Sequence, residues 1–311
     1  MIKIFAPCLF FLAAAVSASE PPQPLESVGL EAILSFPAPP PAVKSVVVPF
    51  RQDFRPSDRY FSSYILKAVD QLYANYGLLG YDINSILTHD IQYSTFGVIP
   101  ARRAPLTMCV AAQMEVILTA YEIYARETGD HSVYNYLPKK SFETLGIGDI
   151  KGHIWVNPKF NANGTADALI NFGMGERTPF DQLKPGSFVN INRTTKTGHA
   201  VTFLGYINAK GELQAEHNDT VIGFKYFSSQ GRITAGDGGF DYRYAVFSKF
   251  GCPEMPYKRD CNIIYSLEQR MLNTGTMLSP KYWTHIVPAE DPSAGETVFN
   301  RNTFNGVTTD D

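Results

Sequence analysis

No HExxH zinc motif, no CxxC pair and no phosphate-binding G-x-x-x-x-G-K-[ST] loop occurs in the 311 residues. The local signatures of a zinc peptidase, a dithiol redox centre and a P-loop nucleotidase are therefore missing. An excess of one charge is lacking too: Lys and Arg nearly balance Asp and Glu, leaving a formal net charge of −3. A chain without a basic stripe has little with which to neutralise a phosphate backbone, so nucleic acid is not an expected partner. There is no internal repeat, which excludes solenoids and propellers. Beyond the N-terminus, no apolar run approaches the ~20 residues that a spanning helix needs. Cysteine is sparse, at four.

The N-terminus itself reads as a targeting segment. Lys3 supplies a positive start, Ile4 to Ala15 is nearly all apolar, and Val16-Ser-Ala18 fits a small-x-small cleavage site before Ser19. Residues 1–18 are thus expected to be a signal peptide, with an uncleaved anchor as the alternative, and the protein to be periplasmic or secreted without stable membrane insertion. Residues 19–56 ("EPPQP", "FPAPPPAV", "FRPSD") are proline-rich and carry little periodicity, as a linker or strap would. One domain is expected over 57–287, and a loose polar tail over 288–311.

Helical spacing predicts a first helix from Ser57 or Asp58 to Gly77, with Phe61, Tyr64, Ile65, Ala68, Val69 and Leu72 on one face. A second helix, "TMCVAAQMEVILTAYEIYARETGD", is expected with Thr107 as N-cap and Gly129-Asp130 as its stop. It is apolar enough to be central and buried. A short helical stretch, "TADALINFGMG", follows. From Ser187 the pattern becomes β, in "SFVNI", "HAVTFLGYI", "ELQAE", "VIGFKYFSS", "YRYAVFSKF" and "NIIYSL", separated by turns such as "NAKGE" and "AGDGG". Helices first and antiparallel strands afterwards make an α+β domain. The "GDGGFD" turn holds Asp237 and Asp241, and reads as a hairpin turn rather than a calcium loop.

Export changes how the cysteines read. Cys8 leaves with the signal peptide, and Cys252 and Cys261 bracket a short Pro-containing loop that an oxidising compartment would bridge. Cys109 is the odd one out. It lies just inside the start of the central helix, where free N–H groups and the helix dipole favour a thiolate. Two readings are open: a nucleophile, or a small buried hydrophobe.

A cysteine nucleophile needs a base from elsewhere in the fold. Of six histidines, His199 stands at the mouth of an apolar strand that would hold its ring rigidly; His153, after Gly152, is the nearest rival. Its alternative is a structural histidine at a strand end. If "VIGFKYFSSQ" pairs antiparallel with the His199 strand so that Ile207 opposes Ile222, then Gln230 falls opposite His199. A Gln carbonyl there can fix the imidazole tautomer. Ser228, Ser229, Asn218 and Asp219 compete for that role, and Gln230 also fits a plain polar strand end. Gln92 and Tyr93 are candidates for an oxyanion donor beside the Cys109 N–H.

"TMCVAAQMEVIL" followed by "LKPGSFVNINRTTKTGHAVTFLGYI" resembles the papain-like fold of bacterial cell-wall cysteine peptidases and amidases, the NlpC and CHAP types. The likeness covers about a fifth of the chain, chiefly 105–120 and 180–230. Ser187 departs from it, standing where an Asp commonly follows Pro-Gly. So does Met108, where an aromatic, Ser or Asp commonly neighbours the cysteine. The Cys-to-His spacing is also longer than in compact members. The resemblance implies a central cysteine-bearing helix packed on an antiparallel sheet, with Cys109 as nucleophile, His199 as base and a polar residue such as Gln230 orienting it. It also implies hydrolysis of an amide bond in a cell-wall peptide or protein substrate, without metal or cofactor. An acyl transferase of the transglutaminase kind using the same residues, and an inactive papain-like binding module, are the alternatives.

Overall fold

The computed structural model describes residues 58–135, 164–192, 197–254, 259–263, 272–284 and 309–310. The expected signal peptide, the proline-rich strap, His153 and nearly all of the tail lie outside the described residues.

The first helix, α1 (Ser62–Tyr76), buries Ile65, Ala68, Val69 and Leu72, the i, i+3, i+4, i+7 stripe that the sequence spacing requires. It starts later than expected. Phe61 is the N-cap residue, and Tyr60 instead bridges to Leu278. Gly77 ends the helix, its N–H bonding to the Tyr73 carbonyl.

A short hairpin of β1 (Ile91–Tyr93) and β2 (Gly97–Ile99) follows, and then α2 (Cys109–Thr128). Met108, not Thr107, is the N-cap: its backbone is extended and its sulfur accepts from the Ala111 N–H. The shift makes Cys109 the first helical residue. Gly129, at φ 74°, takes the left-handed conformation that a glycine adopts at little cost, and stops the helix. Most of α2 is buried, so the helix runs through the core. A third described helix, α3 (Thr165–Asn171), packs on the sheet edge.

The remaining elements form one mixed, largely antiparallel sheet: β3 (Gly175–Arg177), β4 (Phe188–Asn192), β5 (Thr197–Ile207), β6 (Leu213–Gln214), β7 (Gly223–Gly231), β8 (Gly238–Phe247), β9 (Arg259–Ile263) and β10 (Leu272–Met277). The order is β3-β10-β4-β5-β7-β8-β9, with only β8–β9 parallel along it. The "ELQAE" stretch does not separate β5 from β7. Its strand β6 pairs with Tyr206 and Ile207, while β7 pairs with β5 from Ile207 to Thr202. A two-residue β11 (Thr309–Asp310) lies parallel to Thr197 and Gly198.

Strand alternation sends side chains to two apolar layers. Phe188, Ala200, Leu204 and Phe227 join the helices, Cys109 included. Val189, Ile191, Val201, Phe203, Phe224 and Tyr226 fill the other face. The architecture is α+β, as composition and order of elements predict. The Cys252–Cys261 disulfide is present, with Cα atoms 5.5 Å apart.

Candidate active site

Cys109 is fully buried at the first position of α2, and the first turn contains no acidic residue to cancel the positive end of the helix. The start of this helix is tied to the sheet by four buried side chains. Ser229 donates from its hydroxyl to the Thr107 carbonyl at 3.0 Å. Gln113, one turn after Cys109, accepts from the Thr202 hydroxyl at 2.6 Å and donates to Ser228 Oγ at 3.4 Å. Ser228 in turn donates to the Ala200 carbonyl at 2.7 Å. Ala200 adjoins His199 and Ser229 adjoins Gln230, so these bonds bring the α2 N-terminus to the end of β5 and β7 that carries both.

His199 pairs with Ile191 across β4 and is 1% exposed. Ala200 and Thr202 turn toward α2, so the His199 side chain leaves its strand on the Ile191 and Val201 side. Its ring lies 5.7 Å from that of Tyr226, nearly perpendicular to it. Tyr226 Oη donates to Gln230 Oε1 at 3.0 Å, and Gln230 is 4% exposed. His199, Tyr226 and Gln230 thus gather on one face, while Cys109 sits among the helices on the other side of the strand.

The register that brings His199 and Gln230 together differs from the simple expectation. Ile207 opposes Gly223 rather than Ile222. An irregularity between Phe203 and Gly205 absorbs the one-residue slip, and Thr202 then opposes Phe227. Continued one for one, that pairing sets His199 level with Gln230, so the slip and the bulge cancel. The carbonyl of Gln230 is engaged by Tyr226, a residue that sequence reasoning passed over. Its signal was parity: Tyr226 is four positions before Gln230 on a strand, hence on the same face.

The two upstream oxyanion candidates are committed elsewhere. Gln92 Nε2 donates to the Ser94 and Gly97 carbonyls at 2.8 and 3.1 Å, closing its own hairpin. Tyr93 Oη donates to the Tyr134 carbonyl at 3.3 Å, and burial pushes its phenol far above the ordinary range.

A second buried polar group lies on α2. Glu115 is fully buried and accepts from Thr88 N–H at 2.8 Å and Thr88 Oγ1 at 2.7 Å. Burial pushes its carboxyl up to about 7, against the opposing pull of the Thr88 hydrogen bonds. Thr88 Oγ1 also lies 3.0 Å from His89 Nδ1, whose ring stacks on Tyr76 at 4.2 Å. Desolvation lowers the His89 imidazole, favouring its neutral form.

A cavity of about 450 Å³ opens at the other end of β5, lined by Tyr60, Glu176, Asp181, Lys184, Tyr206 and His217 among others. Seven residues of strand, roughly 23 Å, separate Tyr206 from His199. Among the described residues, no group of three or more His, Cys, Asp or Glu side chains could hold a metal ion, and no helix is long and apolar enough to cross a membrane. No family model, no curated protein and no solved structure matches this chain.

Proposed function

We propose that this chain is an exported, papain-like cysteine hydrolase that cleaves an amide bond in peptidoglycan peptides. What supports the reading is the hydrogen-bonded tie of the Cys109 helix start to β5 and β7, the strands that carry His199 and Gln230, through Gln113–Thr202 and Ser229–Thr107. The location is one where thiol chemistry is physically easy, at a helix N-terminus without a first-turn carboxylate. Export rests on the N-terminal segment, and the cell-wall substrate rests on the resemblance alone.

In this mechanism His199 takes the Cys109 thiol proton, and the thiolate attacks the amide carbonyl. The Cys109 backbone N–H faces the developing oxyanion. The C–N bond breaks as the imidazolium proton passes to the leaving amine. Water then attacks the thioester, giving its proton to His199 and releasing the carboxylic acid and the free thiolate. His199 leaves β5 on the side away from α2, so the mechanism requires its ring to reach Sγ around the strand end.

A second reading has its own observation. Cys109 and His199 are 0% and 1% exposed, and the His199 side chain leaves β5 on the side away from the Cys109 helix, which suits a papain-like module that binds cell-wall material without chemistry. Digestion of purified muropeptides separates the two. Cleavage by wild type, lost in Cys109→Ala and in His199→Ala, supports the hydrolase. Intact muropeptides with retained pull-down of cell wall support the binding module. Incorporation of an amine donor without hydrolysis points to a transferase.

A further inference from the structure

We propose that Tyr226 is a positioning residue for His199, its ring flanking the imidazole while its hydroxyl holds the Gln230 amide beside it. The proposal rests on the reading of Cys109 and His199 as a hydrolytic pair. Three observations carry it. The His199 and Tyr226 rings meet edge to face at 5.7 Å. Tyr226 Oη donates to Gln230 Oε1 at 3.0 Å. Gln230 Nε2 is buried and has no hydrogen-bond partner among the described residues, on a residue that is 4% exposed.

A buried amide with one end bonded and the other open is unfavourable to keep, and native chains retain such groups when something comes to meet them. A phenol can donate or accept. With Tyr226 donating to Oε1, the Gln230 amide presents N–H groups. With the amide turned over, Nε2 donates to Tyr226 Oη and the carbonyl is presented instead, as an acceptor for an imidazole N–H. Either way the Tyr226 hydroxyl is the fixed point that keeps the amide beside the ring. The charged groups on the same side of β8 are Arg243, opposite Tyr226, and Asp241, opposite Ser228. They pair with each other at 3.5 Å. From β4, Ile191 faces His199 and carries no charge.

The test uses the full chain with Tyr226→Phe, which keeps the ring and removes the hydroxyl, and Gln230→Leu as a second variant. On muropeptides, Tyr226→Phe is expected to lower kcat roughly tenfold, about the rate equivalent of one hydrogen bond, with KM unchanged. The alkaline limb of its pH profile shifts, to lower pH where the Gln230 carbonyl faces the imidazolium and to higher pH where its N–H groups face the neutral ring. The double variant is no slower than either single one, since both changes break the same link. Losses that multiply, or an unmoved pH limb, overturn the proposal. The imidazole pKa of His199, followed by NMR titration, is a measurement that does not depend on turnover. A value displaced in the same direction in both variants supports the role of Tyr226 even if muropeptides stay intact and the hydrolase reading falls. An unchanged value overturns it even if Cys109→Ala abolishes cleavage.

Discussion

Thr202 Oγ1 donates to Gln113 Oε1 at 2.6 Å, joining the middle of β5 to the first turns of the cysteine-bearing helix. Both groups are fully buried, so neither can turn to water if the other is lost. Thr202→Val should destabilise the fold by about 1–3 kcal/mol, since it strands the Gln113 carbonyl. Adding Gln113→Leu should recover part of that loss, because an apolar pair leaves nothing unsatisfied between them. Urea unfolding of the two single variants and the double variant measures the coupling, and strictly additive losses would refute it.

Glu115 gives the fold a pH dependence whose sign follows from its raised pKa. Below about 4.5 the group is protonated in both folded and unfolded chains, and its contribution is complete. As pH rises toward about 7 the unfolded chain ionises while the folded one holds its proton, so stability is lost through that window. The loss should level off near 3 kcal/mol, at about 1.4 kcal/mol per unit. Glu115→Gln cannot ionise, so the stability gap between it and wild type should move by that amount from pH 4 to pH 8, in favour of Gln. A gap that does not change with pH would show that Glu115 titrates normally.

Cys109→Ala removes one sulfur from a packed core and should cost about 1 kcal/mol of stability. The same change should abolish cleavage if Cys109 is the nucleophile. Thermal unfolding and muropeptide turnover measured on one preparation keep the two effects apart. A folded variant with undiminished turnover would remove Cys109 from the mechanism.

The Cys252–Cys261 bridge closes a short loop, with the two residues nine apart. Loop-closure entropy for so short a loop predicts a loss of about 3 kcal/mol when both cysteines become serine. Reduction of wild type under native conditions should lower the urea midpoint by a similar free energy, and an unmoved midpoint would mean that the bridge is decorative.

Much of the architecture is legible in local sequence pattern. The α1 stripe, the Gly129 stop, the buried character of α2 and the strands β4, β5, β7 and β8 follow from periodicity and turn residues, which act locally. Several strands could not be found this way. Residues 272–277, "LNTGTM", are buried throughout yet mostly polar or glycine, so no apolar alternation marks them. They become a strand because β3 and β4 both offer hydrogen-bonding edges to them. The strands β1, β2 and β3 are three residues long, too short for a period of two to show.

The candidate site divides in the same way. By itself the sequence nominated the candidates for chemistry: a cysteine at a helix start, a histidine at a strand mouth and a glutamine ending the next strand. These follow from residue type and local pattern. Tertiary structure alone decided their relations. A bulge in β5 restored the register that sets His199 level with Gln230, strand parity turned the His199 ring toward Tyr226, and Gln113 became the tie between helix and sheet. Such relations depend on pairings between residues far apart in the chain, from 27 positions for His199 and Tyr226 to 122 for Ser229 and Thr107. No local pattern encodes them, because they form only when separate elements pack.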